Sequence, residues 1–200
     1  MTRRWVLVLG VAGAFAAACG AAPNPATEQE VALRCVPQRD PAGRVSPYDS
    51  TTVVAGTLRA KICYGRPSAR GRTMIGGEAV PYGKLWRTGA NEPTIIHLAV
   101  AADIAGIKLE PGSYSLYTIP DRESWTVIVN RSITQWGHES TYRGEVAAQE
   151  VGRATVARED MADHVETFTI RSEPTGASSA QIILEWEKTR VRIPIAARNS

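Results

Sequence analysis

The sequence is poor in the residues from which most active centres are assembled. Of 200 residues, only three are cysteine and three are histidine. His97, His138 and His164 share no H-x-H, H-x-x-x-H or H-E-x-x-H spacing, so no metal centre is expected. There is no Gly-x-Ser-x-Gly elbow, no P-loop and no dinucleotide fingerprint, and no cofactor is expected. An excess of one charge is also missing. Lys plus Arg number 23 against 20 Asp plus Glu, a net charge of +3. Removing Arg3 and Arg4 with an N-terminal leader leaves about +1, too little for a general attraction to nucleic acid. Finally, no apolar run reaches the roughly 20 residues that cross a bilayer as a helix.

What is present at the N-terminus is an export signal. Arg3 and Arg4 precede an apolar run from Trp5 to Ala18, and Ala16-Ala17-Ala18 lead into Cys19. The length suits a signal-peptide core. The small residues before Cys19 resemble a bacterial lipobox, with Ala16 standing where such boxes usually carry Leu. The expectation is cleavage before Cys19, lipidation there, and a membrane anchor whose acyl chains each contribute about 0.8 kcal/mol per buried methylene. The protein would then be a lipoprotein of the bacterial cell envelope, on its periplasmic or outer-surface face. Cys35 and Cys63 remain as an even pair in an oxidising compartment. They are read as a disulfide, with two buried thiols as the alternative. Such a bridge would contribute about 3–4 kcal/mol.

The domain division read from composition is a signal peptide over 1–18, a lipidated tether over 19–52 and a single domain over 53–197. The tether is rich in Ala, Pro, Gln and Asp and has no sustained period. Beyond it, short segments alternate with a two-residue period. Leu58, Ala60, Ile62 and Tyr64 share one face of the first. Strands are also expected at 94–100, 107–109, 113–119, 125–130, 151–156, 165–171, 181–187 and 191–196. Glu110-Pro111-Gly112 reads as a hairpin turn and Lys188-Thr189-Arg190 as a tight connection. A short helix fits 141–150, and a turn fits 158–163. Trp125, Phe168 and Trp186 are assigned to the core. The fold class is therefore all-β, an antiparallel β-sandwich of jelly-roll type with little helix.

Tyr64 to Glu92 breaks the strand pattern with one long loop system dense in Gly, Pro, Arg and aromatics. Loops of that length are usually functional or held by specific contacts. The basic residues Arg66, Arg70, Arg72, Lys84 and Arg87 face only Glu78 and Glu92 within the loop, which suits an anionic ligand. The motifs Tyr64-Gly65-Arg66-Pro67-Ser68, Gly71-Arg72 and Val80-Pro81-Tyr82-Gly83-Lys84-Leu85-Trp86-Arg87-Thr88-Gly89-Ala90-Asn91-Glu92 resemble the bacterial domain of unknown function 2911 family. So do Pro111 to Pro120, Trp125 to Asn130 and Gln135-Trp136-Gly137. The likeness runs from about Ser46 to Ile195. It implies an exported β-rich domain without an established activity, and it brings no catalytic residues. The Cys35/Cys63 pair and Trp136-Gly137-His138-Glu139 are variations on that pattern.

The ligand-contact candidates are Arg66, Arg72, Trp86, Arg87, Asn91, Glu92, Trp136 and His138. Each has a structural counterpart. Arg87 and Glu92 would pair to shape the loop, and Asn91 would brace a turn. Tyr82, Trp86 and Trp136 would pack under the loop rather than form an aromatic platform. Arg66, Arg70 and Arg72 would form a solvated face. The leading expectation is a non-enzymatic domain that binds a small anionic, carbohydrate or peptide partner. The alternative is an envelope hydrolase with Glu92 or His138 as general acid or base, helped by a second carboxylate such as Glu78 or Glu139. Low exposure of Trp86, Arg87 and Asn91 would instead indicate a structural module.

Overall fold

The computed structural model describes residues 33–198. The segment read as a leader, Cys19 and the first part of the stretch read as a tether lie outside the described residues. The strands are β1 (Tyr48–Ala55), β2 (Leu58–Gly65), β3 (Thr94–Leu98), β4 (Ala102–Ile104), β5 (Ile107–Leu109), β6 (Gly112–Ile119), β7 (Ser124–Asn130), β8 (Glu150–Gly176) and β9 (Ser179–Ala197). A 3-10 turn at Glu139–Thr141 and the one-turn helix α1 (Glu145–Ala148) are the helical elements described. All pairings are antiparallel, in the order β1-β2-β3-β6-β7-β8-β9-β4-β5. The sheet is not closed into a barrel.

Two long strands turn this sheet into a sandwich. Residues Glu150 to Ala157 of β8 pair with β7, and from Arg158 onward β8 pairs with β9. Register shifts between Asp160 and Val165 and between Val165 and Thr169 mark bulges, and bulges bend and twist a ribbon. The second half of β8 thereby returns over the first sheet. Tyr64 of β2 meets Phe168 edge to face at 5.8 Å, and its hydroxyl accepts a hydrogen bond from the Ile170 amide at 3.0 Å. The alternation is as the sequence implies: Ala60 and Ile62, Ile96 and Leu98, Tyr114 and Leu116, and Trp125, Val127 and Val129 enter the core. Trp125, Phe168 and Trp186 are all buried.

Several local expectations are corrected by long-range pairing. The segments 151–156 and 165–171 are one strand, and the expected turn at 158–163 lies inside it. The segments 181–187 and 191–196 are also one strand. Lys188-Thr189-Arg190 continues it because Thr189 pairs with Asp160 and Arg190 with Glu159. The turn at Glu110-Pro111-Gly112 does not close a hairpin. β5 pairs with β4, while β6 pairs with β3 and β7. β1 begins at Tyr48, within the stretch read as tether, because Val53 and Ala55 find Ala60 and Leu58 across the Gly56-Thr57 turn.

One ion cluster stiffens the β8–β9 ribbon. Arg171 grips Glu185 with two nitrogens at 2.9 and 3.0 Å, and Arg190 reaches the same carboxylate. Hydrogen bonding from Arg171, aided by Arg190, holds Glu185 below its ordinary value of 4.5 against the opposing effect of burial. A carboxyl lowered in the folded state stabilises fully above its unfolded value and loses that contribution as pH falls through the folded one. The thermal midpoint is therefore expected to decline below about pH 4.5. Glu185→Gln should flatten part of that acid limb, and an unchanged limb would remove Glu185 from the account.

Candidate functional site

The Tyr64–Glu92 loop system closes one end of the sandwich. Ala69, Met74, Ile75, Val80 and Trp86 all join the hydrophobic core. Glu187 of β9 clamps the loop, accepting the amides of Met74 at 3.0 Å and Ile75 at 2.8 Å. Trp86 is only 4% exposed. Its ring stacks on Trp186 at 5.8 Å and meets Phe168 and Trp125 edge-on. Its indole N–H donates to Gly89 O at 3.1 Å, and its backbone pairs both ways with Thr118.

Arg87 follows at the edge of this plug. Its guanidinium forks onto Glu139, Nε at 3.1 Å and Nη2 at 3.0 Å, while Nη1 donates to Asn91 O at 3.0 Å. Such a bidentate pair is strong and directional. Asn91 holds a left-handed conformation at φ 69°. A recess of about 220 Å³ opens beside the pair. Met74, Val80, Trp86 and Trp186 supply apolar walls, and Arg87, Asn91 and Glu139 supply polar ones.

The other face of strands β2, β3, β6 and β7 carries a second set of buried residues. Cys63, Ile95, Tyr117 and Ile128 are buried but lie outside the main core cluster. Two segments accompany this face. One spans residues 132–149: Tyr142 packs edge-on to Tyr117 at 4.8 Å, Ser115 donates to Ser132 O, and Gln135 Nε2 donates to the Tyr117 hydroxyl at 2.9 Å. Burial raises the Tyr117 hydroxyl above its usual value. The other is a strap, residues 35–44, joined to β2 by the Cys35–Cys63 disulfide with Cα atoms 5.6 Å apart.

Glu92 is sealed by this strap. It is 1% exposed. Oε2 meets Arg44 Nη1 at 2.7 Å, and Oε1 accepts the Gln38 amide at 3.1 Å. Burial, with the Glu92 carboxylate adding to it and Arg44 opposing, pushes the neighbouring Tyr48 hydroxyl up to about 12. Gln38 Nε2 donates to Ile133 O and Gln135 O at 3.0 and 3.1 Å. Arg39 lies over the Trp136 ring at 4.0 Å. Gly137 sits tightly against the Asn91–Pro93 backbone. A Cβ there would stand 2.7 Å from Asn91 O and Pro93 N, which explains glycine at that position.

The candidates therefore divide. Arg87, Asn91, Glu92, Trp136, Gly137 and Glu139 converge, with His138 exposed on the same turn. Arg66 and Arg72 do not join them. Arg66 bonds to Asp49, Phe168 O and Thr169, and Arg72 returns to Ala69 O and Ser68 O. The expected Arg87–Glu92 pair is replaced by Arg87–Glu139 and Arg44–Glu92. Glu139 and Arg44 were beyond the reach of a local reading because each comes from a distant segment. Tyr82, Trp86 and Trp136 form no common platform: Tyr82 takes Arg122 at 5.1 Å, Trp136 takes Arg39, and Trp86 is in the core. Arg39, Gln38 and Arg44 were missed because the stretch read as a tether has no period. Cys35 was the one sign that it must return to the domain. His97 contacts Ser113 Oγ at 2.7 Å, and burial lowers its imidazole. Among the described residues, no three His, Cys, Asp or Glu side chains lie close enough to hold a metal.

A family model described as a protein of unknown function (DUF2911) matches residues 46–195. No curated protein and no solved structure matches the chain.

Proposed function

We infer that this chain, which belongs to the DUF2911 family of proteins of unknown function, is an exported, lipid-anchored envelope domain that binds a peptide rather than catalysing a reaction. The recess beside Arg87 carries this reading. At about 220 Å³ it is smaller than the roughly 300–1,000 Å³ of pockets that enclose whole ligands or cofactors. It suits one apolar side chain. An anion is disfavoured because the Arg87 fork is already filled by Glu139 and Asn91 O. A sugar platform is disfavoured because Trp86 shows almost no face. A peptide places an apolar side chain on Met74, Val80 and Trp186, while its main chain meets the polar groups of Arg87, Asn91 and Glu139.

Hydrolysis finds no support at Glu92, whose two oxygens are both engaged and out of solvent. The export reading draws support from the Arg3-Arg4, apolar run and Cys19 pattern, and from the Cys35–Cys63 bridge, which suits an oxidising compartment. Mass spectrometry of the mature protein should find acylated Cys19 as the first residue. An intact leader would end that part of the reading.

For the recess, short peptides differing in one apolar side chain should raise the thermal midpoint of the wild-type domain. Ala79→Phe, at the recess wall, should abolish that shift while leaving the ion pairs in place. If no peptide separates wild type from this variant, the loop is a structural plug.

A further inference from the structure

The strap under which Glu92 disappears is bound in an unusual way. Gln38, Arg39 and Arg44 touch the domain through donors and a cation. The large apolar side chains flanking them, Val36 and Val45, point to solvent at 76% and 70% exposure. The strap contributes no residue to the hydrophobic core cluster. It is held by polar contacts and one disulfide, as a ligand is held and as core segments are not.

The surface it covers has a consistent chemistry. Glu92 offers a carboxylate, Ile133 and Gln135 offer carbonyls, and Trp136 offers a π face. Each of these contacts accepts a donor or attracts a cation. None of the four residues lines the recess beside Arg87. The strap also lies outside residues 46–195, the part matched to the family. The family domain therefore carries this groove, and a separate segment fills it.

We propose that the groove formed by Glu92, Ile133, Gln135 and Trp136 is a recognition site for basic, arginine-containing peptides, occupied in cis by residues 35–44. Arg44 supplies the guanidinium for Glu92. Gln38 supplies a main-chain and a side-chain donor. Arg39 supplies the cation over Trp136. Tethered through Cys63, the strap acts at an effective concentration of about millimolar, so weaker peptides in solution are excluded. A partner of the same chemistry enters when the strap is displaced. This site shares no lining residue with the recess.

The test uses the mature full chain and a labelled synthetic peptide with the sequence of residues 36–46. The wild-type chain should show no saturable binding. The variant Gln38→Ala/Arg39→Ala/Arg44→Ala loses the anchoring side chains but keeps the disulfide and the groove, and it should bind the peptide saturably. Adding Glu92→Gln should weaken that binding at least tenfold, whereas adding Ala79→Phe should leave it unchanged. A folded triple variant that binds nothing overturns the proposal, and so does binding indifferent to Glu92→Gln. If the triple variant does not fold, hydrogen exchange of the wild-type strap amides decides. With the disulfide reduced by a dithiol, which is itself oxidised to a cyclic disulfide, excess peptide should speed exchange at the Gln38 amide, which is bonded to Glu92. Unchanged exchange overturns the proposal.

Discussion

Trp86→Ala is expected to lower the unfolding free energy by about 3–5 kcal/mol, the range for deleting a large core aromatic. Few loop residues would cost as much. Trp86 is 4% exposed and forms the meeting point of Trp125, Phe168 and Trp186. Alanine there would leave a cavity between the two layers of the sandwich. It would also deprive Gly89 O of its indole donor. Edge-to-face and stacked aromatic pairs add about 0.5–1.5 kcal/mol each beyond area burial, so several are lost together. Against a typical total of about 5–15 kcal/mol, the variant should unfold at much lower denaturant and lose near-ultraviolet circular dichroism. Trp86→Phe should fall between the two. A loss under about 1 kcal/mol would mean that the loop does not plug the core.

Removing the Cys35–Cys63 bridge is expected to have the second largest effect. The bond spans 28 residues, and closing a loop of that size restricts the unfolded chain by about 3–4 kcal/mol. For a domain of this size each kcal/mol moves the thermal midpoint by about 2–4 °C, so reduction should lower it by about 10 °C. The enclosed loop contains β1 and β2 as far as Cys63, and Cys63 is paired on both sides, with Ser50 and with Ile95. The anchor point is therefore rigid and the bridge fully expressed. Cys35→Ala should reproduce the effect of a dithiol. Calorimetry of oxidised and reduced protein provides the check. Midpoints within a degree of each other would show that the bridge does not restrain unfolding.

The legible and illegible parts of this chain divide by sequence distance. Alternation at Leu58 to Tyr64 and at Trp125 to Asn130 marked strands because burial of every second residue is a local property. Lys188-Thr189-Arg190 misled for the same reason. Polar residues in a row look like a turn, yet on a ribbon whose partner is β8 they are simply more strand. In the loop, the excess of arginine suggested an anionic ligand. Two of those arginines find their acids in distant segments: Arg66 meets Asp49 of β1, and Arg87 meets Glu139 of the 132–149 segment.

The sequence alone determined that this is a strand-built antiparallel domain with aromatic residues in its core, an unusual loop from Tyr64 to Glu92 and, beyond Cys19, an even pair of cysteines. These follow from period, composition and count. Only the tertiary structure decided which charges meet: Arg87 with Glu139, Glu92 with Arg44, and a strap laid over the second face of the sheet. An ion pair depends on the approach of segments some 50 residues apart, and no local pattern encodes that approach.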